Sequence, residues 1–234
     1  MKKIVVLTGA GMSAESGIRT FRDSNGLWEE YDVMEVASID GWYKNPELML
    51  RFYNERRKQM FGCEPNKGHL LLAELEKNFE VQIVTQNIDN LHERAGSTHV
   101  LHLHGELTKA RSSSDPSLIY TIGNREIKIG DKCEKGSQLR PYIVWFGEEV
   151  PAMNEAIRIV ESAEILCIIG TSLNVYPAAG LIRYAPQGCP IYLIDPNPPV
   201  DLPRKVKVIA KGASLGVAEF IKVNLYRDFR VQEL

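Results

Sequence analysis

The sequence predicts an α/β fold: a parallel sheet with helices on both faces, joined to a smaller lobe made of two insertions. Three observations predict it. Six short apolar runs recur along the 234 residues, at Ile4–Leu7, Val81–Thr85, Val100–Leu103, Ile165–Ile169, Ile191–Ile194 and Val206–Ala210. They are rich in β-branched residues and lack strict alternation, the pattern of strands buried on both faces. Helical patterns such as His69–Asn78 and Asn154–Ser162 separate several of them, and strands alternating with helices imply parallel pairing. Each run also stops at a polar or glycine-rich loop: TGAG, TQNID, HLHGE, GTS, DPN and KGA. In a parallel sheet all strand C-termini share one edge, and ligands bind in the crevice beyond it. The six loops are therefore expected to converge.

The first run follows Met1-Lys2-Lys3. A secretory signal also opens with basic and then apolar residues, but this run stops at Thr8-Gly9 with no small-residue cleavage site behind it. It reads as a buried strand in a cytoplasmic protein. Residues 35–74 read as a helical insertion, with Pro46 suited to a helix start and a charged stretch at Arg51–Lys58. Residues 107–143 are polar and irregular, with Ser112-Ser113-Ser114-Asp115-Pro116 and Gly130-Asp131-Lys132. These two stretches make the expected small domain, and residues 1–34, 75–106 and 144–234 the large one.

Composition excludes several functions. A net charge of −2 gives no general electrostatic case for nucleic acid or an anionic membrane surface. No apolar run approaches the roughly 20 residues of a membrane helix. The cysteines Cys63, Cys133, Cys167 and Cys189 form no C-x-x-C pair, and a disulfide framework is not expected in a cytosolic chain. Cys167 and Cys189 lie in apolar surroundings and read as small buried residues.

Gly9-Ala10-Gly11-Met12-Ser13-Ala14 fits G-x-G-x-x-G/A directly after a strand, the phosphate loop of Rossmann-like dinucleotide domains. The first glycine permits a tight turn, and the second lets backbone approach a pyrophosphate at a helix start. Alone, this pattern is as often a plain glycine turn. The acidic ribose ligand should end a second strand about 20 residues on. Asp32 and Glu35 are there, but Phe21–Tyr31 does not read as a strand, which argues against a standard dehydrogenase. Asn87 and Asp89 follow the second expected strand. An amide and a carboxylate two apart suit a ribose and a carboxamide, and equally an Asx turn or helix cap. His102 and His104 point the same way near the end of the third strand, as a metal pair or as satisfied structural histidines.

The segment continuing to Arg22, GAGMSAESGIRTFR, resembles the first signature of the sirtuins, the NAD-dependent protein deacylases. Thr85-Gln86-Asn87-Ile88-Asp89-Asn90-Leu91-His92 with Ala95-Gly96, His104-Gly105-Glu106-Leu107, Val144-Trp145-Phe146-Gly147-Glu148 and Gly170-Thr171-Ser172 resemble the later signatures, in family order over nearly the whole chain. The resemblance implies NAD+ as co-substrate. It would be bound by Gly9, Ala10, Gly11, Ser13, Glu15, Thr20, Phe21, Arg22, Gln86, Asn87, Ile88, Asp89, Gly170, Thr171 and Ser172, with Asp195, Asn197 and Ala213 near the adenosine. Asp89 would hold the nicotinamide carboxamide, and Asn87 would orient ribose and water. His104 is implied as general base, a role that suits an imidazole; His102 receives none. Val144, Phe146, Gly147 and Glu148 on one side, and Leu173 and Val175 on the other, would flank an acyl-lysine peptide or protein added as a strand. In the implied reaction the acyl-lysine amide oxygen attacks the nicotinamide ribose carbon and nicotinamide leaves. His104 then takes a proton from a ribose hydroxyl, which attacks the resulting imidate, and water completes the transfer. The products are lysine, nicotinamide and 2′-O-acyl-ADP-ribose.

Tyr53 and Arg56, at i and i+3, share a helix face, and a phenol with a guanidinium can grip a carboxylate. The run Arg51, Arg56, Arg57, Lys58 reads equally as a solvated basic face. Tyr-x-x-Arg, with the small Ala14, resembles the sirtuin subgroup that removes succinyl and malonyl groups, which implies a desuccinylase/demalonylase that also deacetylates. Most sirtuins carry a structural zinc on two Cys pairs after HGEL. Here Arg111-Ser112-Ser113-Ser114 stands at the first pair, and Cys133-Glu134-Lys135-Gly136 keeps one thiol. One thiolate cannot complete a four-ligand site, so no zinc is expected. Three other readings remain: an NAD-dependent oxidoreductase, opposed by the missing ribose strand; a non-catalytic NAD-binding module, opposed by His104, Asn87 and Asp89; and an ADP-ribosyltransferase, disfavoured by Tyr53 and Arg56.

Overall fold

The computed structural model describes residues 1–19, 31–171, 173, 175–199, 202 and 206–225. Strand β1 (Lys3–Thr8) leads into the one-turn helix α1 (Gly11–Ala14). Helices α2 (Val33–Val36), α3 (Ile39–Lys44), α4 (Pro46–Phe61) and α5 (Lys67–Leu75) follow, then β2 (Glu80–Thr85), α6 (Leu91–Arg94) and β3 (Val100–His102). Next come β4 (Gly105–Ser112), β5 (Ile119–Thr121), β6 (Leu139–Ile143), α7 (Met153–Glu161), β7 (Ile165–Ile169) and a 3-10 segment, Ala178–Tyr184. β8 (Ile191–Ile194), β9 (Val206–Ile209), α8 (Ala213–Phe220) and a π-turn, Ile221–Leu225, complete the described chain.

All six apolar runs form one sheet in the order β3-β2-β1-β7-β8-β9, every pair parallel. The order reverses between β1 and β7, so the topological switch point lies there, and the Gly9 and Gly170 loops leave adjacent strands at that point. The absence of alternation has its expected cause. Ile4 and Val6 pack with Leu72, Leu75, Val217 and Phe220 of α5 and α8 on one face. Val5 and Leu7 pack with Ala156, Val160 and Leu181 on the other. Helix α5 therefore packs on the large sheet, and a domain boundary at 74/75 would cut within it. Its start is set by Asn66, whose side chain accepts from the Gly68 amide at 2.8 Å.

A third core joins α2–α4 to a three-stranded antiparallel sheet, β5-β4-β6. Pro46 begins α4 as expected, with Asn45 accepting from Leu48 N at 3.0 Å. The stretch 107–143 is more ordered than its composition suggests. Its strands are broken by a bulge between Glu106 and Ala110 and by Pro141 within β6, which hide the two-residue period. Cys63, Cys133, Cys167 and Cys189 are all free. Cys167 is fully buried as expected, whereas Cys189 is only half-buried. Among the described residues no helix is long and apolar enough to cross a membrane.

Candidate active site

The strand-end loops do converge. Gly9 N–H donates to Ile169 O (3.0 Å), and Gly11 N–H donates to Gly170 O (2.9 Å). A Cβ on Gly9 would meet Gly170 O at 2.7 Å, and one on Gly170, whose φ is +61°, would meet Met12 N at 2.3 Å. The glycines thus let two neighbouring loops touch backbone to backbone, a use of glycine that the dinucleotide motif alone did not reveal. Glu15 lies beyond α1 and accepts from Ser214 N at 3.1 Å, bringing the α8 start at Ala213 alongside. Asp195 ends β8 in an Asx turn, accepting from Asn197 N at 2.8 Å.

A chain of polar side chains crosses the site floor. Asn87 Nδ2 donates to Gly9 O (3.0 Å) and Ser13 Oγ (3.1 Å), and the Ser13 hydroxyl donates to Asp89 Oδ2 (2.9 Å). Asp89 Oδ1 also accepts from Leu91 N (3.1 Å), the Asx turn that the sequence left open. Burial raises the Asp89 pKa, against the opposing pull of the Leu91 amide and the Ser13 hydroxyl. Gln86 Nε2 donates to Thr171 Oγ1 at 3.2 Å, and the Ile88 carbonyl accepts from Leu107 N at 2.8 Å, tying the second loop to the fourth and third.

The two histidines divide by their partners. His104 Nδ1 donates to the Gln86 carbonyl at 3.1 Å, which leaves Nε2 with a lone pair. Burial lowers its pKa, only partly opposed by that carbonyl. His102 donates from Nδ1 to Asn87 O (2.9 Å) and from Nε2 to Glu93 (2.7 Å). Burial works against its charge, yet the Glu93 carboxylate raises its pKa overall. His102 is a structural cation that holds the Asn87 backbone. Among the described residues no group of three or more His, Cys, Asp or Glu side chains is placed to hold a metal ion.

Tyr53 and Arg56 lie on the buried face of α4, 3% and 8% exposed, and Arg57 is buried beside them, so the basic run divides: Arg51 and Lys58 are exposed to solvent, whereas Arg56 and Arg57 are not. Trp145 Nε1 donates to Tyr53 Oη at 2.9 Å. Burial pushes the Tyr53 pKa up to about 12, the Arg56 charge opposing it. Burial also lowers the Arg56 pKa, against the favourable fields of Tyr53 and Asp89. Ala14 ends α1 exposed, its carbonyl accepting from Gly17 N at 3.0 Å.

Val144 N–H donates to His104 O (3.0 Å), and Phe146 bonds through its backbone to Ala37 and Ile39. Gly147 turns there at φ +90°. Glu148, expected to face the peptide, instead accepts from Arg111 Nη2 (2.7 Å), Arg140 Nη1 and Nη2 (both 2.8 Å) and Trp145 N (2.9 Å). Its oxygens are spent on anchoring this loop. Leu173 N–H donates to Thr171 Oγ1 at 3.3 Å, and Val175 O accepts from Ala179 N at 2.8 Å. Thr20, Phe21, Arg22 and Ser172 lie outside the described residues.

In the small lobe Arg111 turns to Glu148, so Ser112, not Arg111, faces the remaining thiol. Cys133 Sγ lies 3.4 Å from Ser112 Oγ, Ser114 and Ser137 hydroxyls meet at 2.5 Å, and Lys135 pairs with Asp115 at 2.6 Å. Hydrogen bonds and an ion pair tie this corner together. Sequence reasoning also missed the buried support of Asn87. The Thr8 hydroxyl accepts from His92 Nε2 (3.1 Å) and donates to Thr85 Oγ1 (2.8 Å), which accepts from Asn87 N (3.0 Å). A signal existed: β1 and β2 both end in a threonine, one polar residue closing each apolar run.

A doubly wound sheet with glycine loops and a carboxylate–hydroxyl–amide chain at its switch point defines a dinucleotide-binding α/β protein. The Sir2 family model matches residues 9–177. A protein of Bacteroides thetaiotaomicron named NAD-dependent protein deacylase is 60% identical over 226 residues, covering 94% of this chain and 96% of that one. A solved Sir2 homologue–NAD complex is similar with a TM-score of 0.87 at 39% identity, over 97% of this chain and 91% of its own. A Sir2 variant solved with a deacetylated p53 peptide and 3′-O-acetyl ADP-ribose gives 0.80 at 33% identity, over 94% and 93%. The chain belongs to the Sir2 family.

Proposed function

We propose that this protein is an NAD-dependent protein-lysine deacylase that prefers succinyl and malonyl to acetyl groups and releases nicotinamide and 2′-O-acyl-ADP-ribose. The deacylase reading is supported by the family and by the polar chain Asn87–Ser13–Asp89 at the strand ends. The acyl preference rests on one observation, the buried Tyr53–Arg56 pair. A guanidinium carried into the protein interior beside a phenol that stays protonated is suited to an anionic acyl chain, and it gains nothing from a neutral one.

The residues fit NAD+. The Gly9–Gly11 and Gly170–Thr171 loops present small backbone to a pyrophosphate, and Gln86, Asn87 and Asp89 offer amide and carboxyl groups to a ribose and a carboxamide. NAD+ supplies the electrophilic ribose carbon and the nicotinamide leaving group. His104 receives a proton at Nε2, because Nδ1 already donates to Gln86 and burial keeps the ring neutral. Asp89 is held by Ser13 and Leu91 in one rotamer, ready to orient a carboxamide.

Four free cysteines support a reducing, cytoplasmic setting. The Ser112–Cys133 and Asp115–Lys135 contacts support a small lobe that needs no zinc. The test offers NAD+ with peptides differing only in acetyl, malonyl or succinyl at one lysine, with products identified by mass spectrometry. Nicotinamide, free lysine and acyl-ADP-ribose are expected, with the acidic acyl groups turned over best. ADP-ribosylated peptide in their place, or reduction of NAD+, would overturn the deacylase reading. Acetyl turnover exceeding succinyl would overturn the preference.

A further inference from the structure

The Tyr53 hydroxyl has one proton and can also accept. Conjugation with the ring holds the O–H bond close to the ring plane, so occupying one side sends the proton to the other. An indole nitrogen is only a donor. The 2.9 Å contact therefore has one direction: Trp145 donates, Tyr53 accepts, and the phenolic proton points away from Trp145. Among the described residues, the indole is the hydrogen-bond partner of this hydroxyl.

Trp145 is itself held on several sides. It is 2% exposed, and the Arg140 guanidinium lies 3.5 Å from its ring centroid. Trp42 packs against it at 5.5 Å. Arg140 is gripped by both oxygens of Glu148 and by the Ile143 carbonyl, and Glu148 also accepts from the Trp145 amide. A continuous contact path runs from Glu148 through Arg140 and Trp145 to Tyr53, three residues before Arg56.

We propose that Trp145 is a specificity-determining positioning residue: its indole N–H, held by Arg140 and Glu148, occupies the acceptor side of the Tyr53 hydroxyl and commits the phenolic proton to the carboxylate of an acidic acyl group beside Arg56. This rests on the reading of Tyr53 and Arg56 as the acyl-acid grip. Without the indole donor the hydroxyl rotates between orientations, and part of its bond to the carboxylate is spent on fixing one of them. A neutral acetyl group makes no such bond.

Trp145→Phe keeps an aromatic ring against Arg140 and Trp42 and removes the N–H together with the bulk of one fused ring, so Tm is followed beside the kinetics. With peptides identical except for the acyl group, at saturating NAD+, kcat/KM for succinyl-lysine is expected to fall about tenfold, near the net worth of one hydrogen bond to a charged group. The loss should lie mainly in KM and exceed by severalfold any loss on acetyl-lysine, because the packing lost with the smaller ring weighs on both substrates alike. In a Tyr53→Phe background, where the hydroxyl is gone, Trp145→Phe should cause no further selective loss. Equal losses on both acyl groups, or a selective loss of the same size without the Tyr53 hydroxyl, would overturn the proposal. If Arg56→Met and Tyr53→Phe prove selective and Trp145→Phe does not, the positioning role alone fails. If neither of the first two is selective, the acyl-acid grip fails with it.

Discussion

Replacing Arg56 with Met is the most direct perturbation of the proposed acyl preference. Methionine keeps an unbranched stem of similar reach and removes the charge. Arg56 is 8% exposed on the buried face of α4, near Phe52, whose ring centroid lies 5.5 Å from the guanidinium carbon. Water screens a charge contact poorly there. Truncating one partner of a buried, hydrogen-bonded charge pair costs about 2–4 kcal/mol, and the discount for residual exposure is small. That corresponds to a loss of roughly 30- to 1,000-fold in kcat/KM for succinyl-lysine. Acetyl-lysine carries no carboxylate, so its loss should stay within about threefold, reflecting packing alone. Malonyl-lysine should follow succinyl-lysine. Initial rates of nicotinamide release on peptides matched in sequence separate the outcomes. Equal losses on acetyl and succinyl substrates would refute the reasoning, because they would make Arg56 a structural residue with no say in acyl choice.

Further outcomes follow from the histidines and the small lobe. His104 accepts a proton only when neutral, and burial lowers its pKa, so the acid limb of kcat/KM should fall below about pH 6.5; a limb centred above pH 7 would contradict this. His69 is fully buried, and its Nδ1 accepts from Asn66 N at 3.3 Å. Desolvation pushes its pKa down to about 4. The unfolded chain therefore binds a proton from about pH 6.5 downward while the folded chain resists until near pH 4. Stability should be full above that window and fall through it, by at most about 3.5 kcal/mol. In His69→Gln this part of the acid slope of Tm should vanish; an unchanged slope would count against it. Elemental analysis should find no stoichiometric zinc, and chelator should leave Tm unchanged; one zinc per chain would overturn the hydrogen-bonded account of the Ser112–Cys133 corner.

The sheet was legible from the chain because strands buried on both faces need uninterrupted apolar residues, as Ile4–Leu7 and Ile165–Ile169 show. Convergence of the loops follows from parallel pairing alone, and the signature segments by themselves resemble the family. The small lobe was less legible. The bulge in β4 and Pro141 in β6 break the two-residue period, and its core is shared with helices far away in sequence. Side-chain partners were decided only by tertiary structure. Sequence spacing put Tyr53 and Arg56 on one helix face but could not say that the face was buried, since burial depends on Trp145, 92 residues further along. Glu148 reads in the sequence as a peptide contact, whereas in the fold Arg111 and Arg140 consume its oxygens. His102 and His104 share a residue type and a strand end, and only their partners, Glu93 for one and the Gln86 carbonyl for the other, make one a held cation and leave the other neutral. Residue type sets what a group can donate, accept or carry, whereas long-range packing sets which of those capacities remains for a substrate.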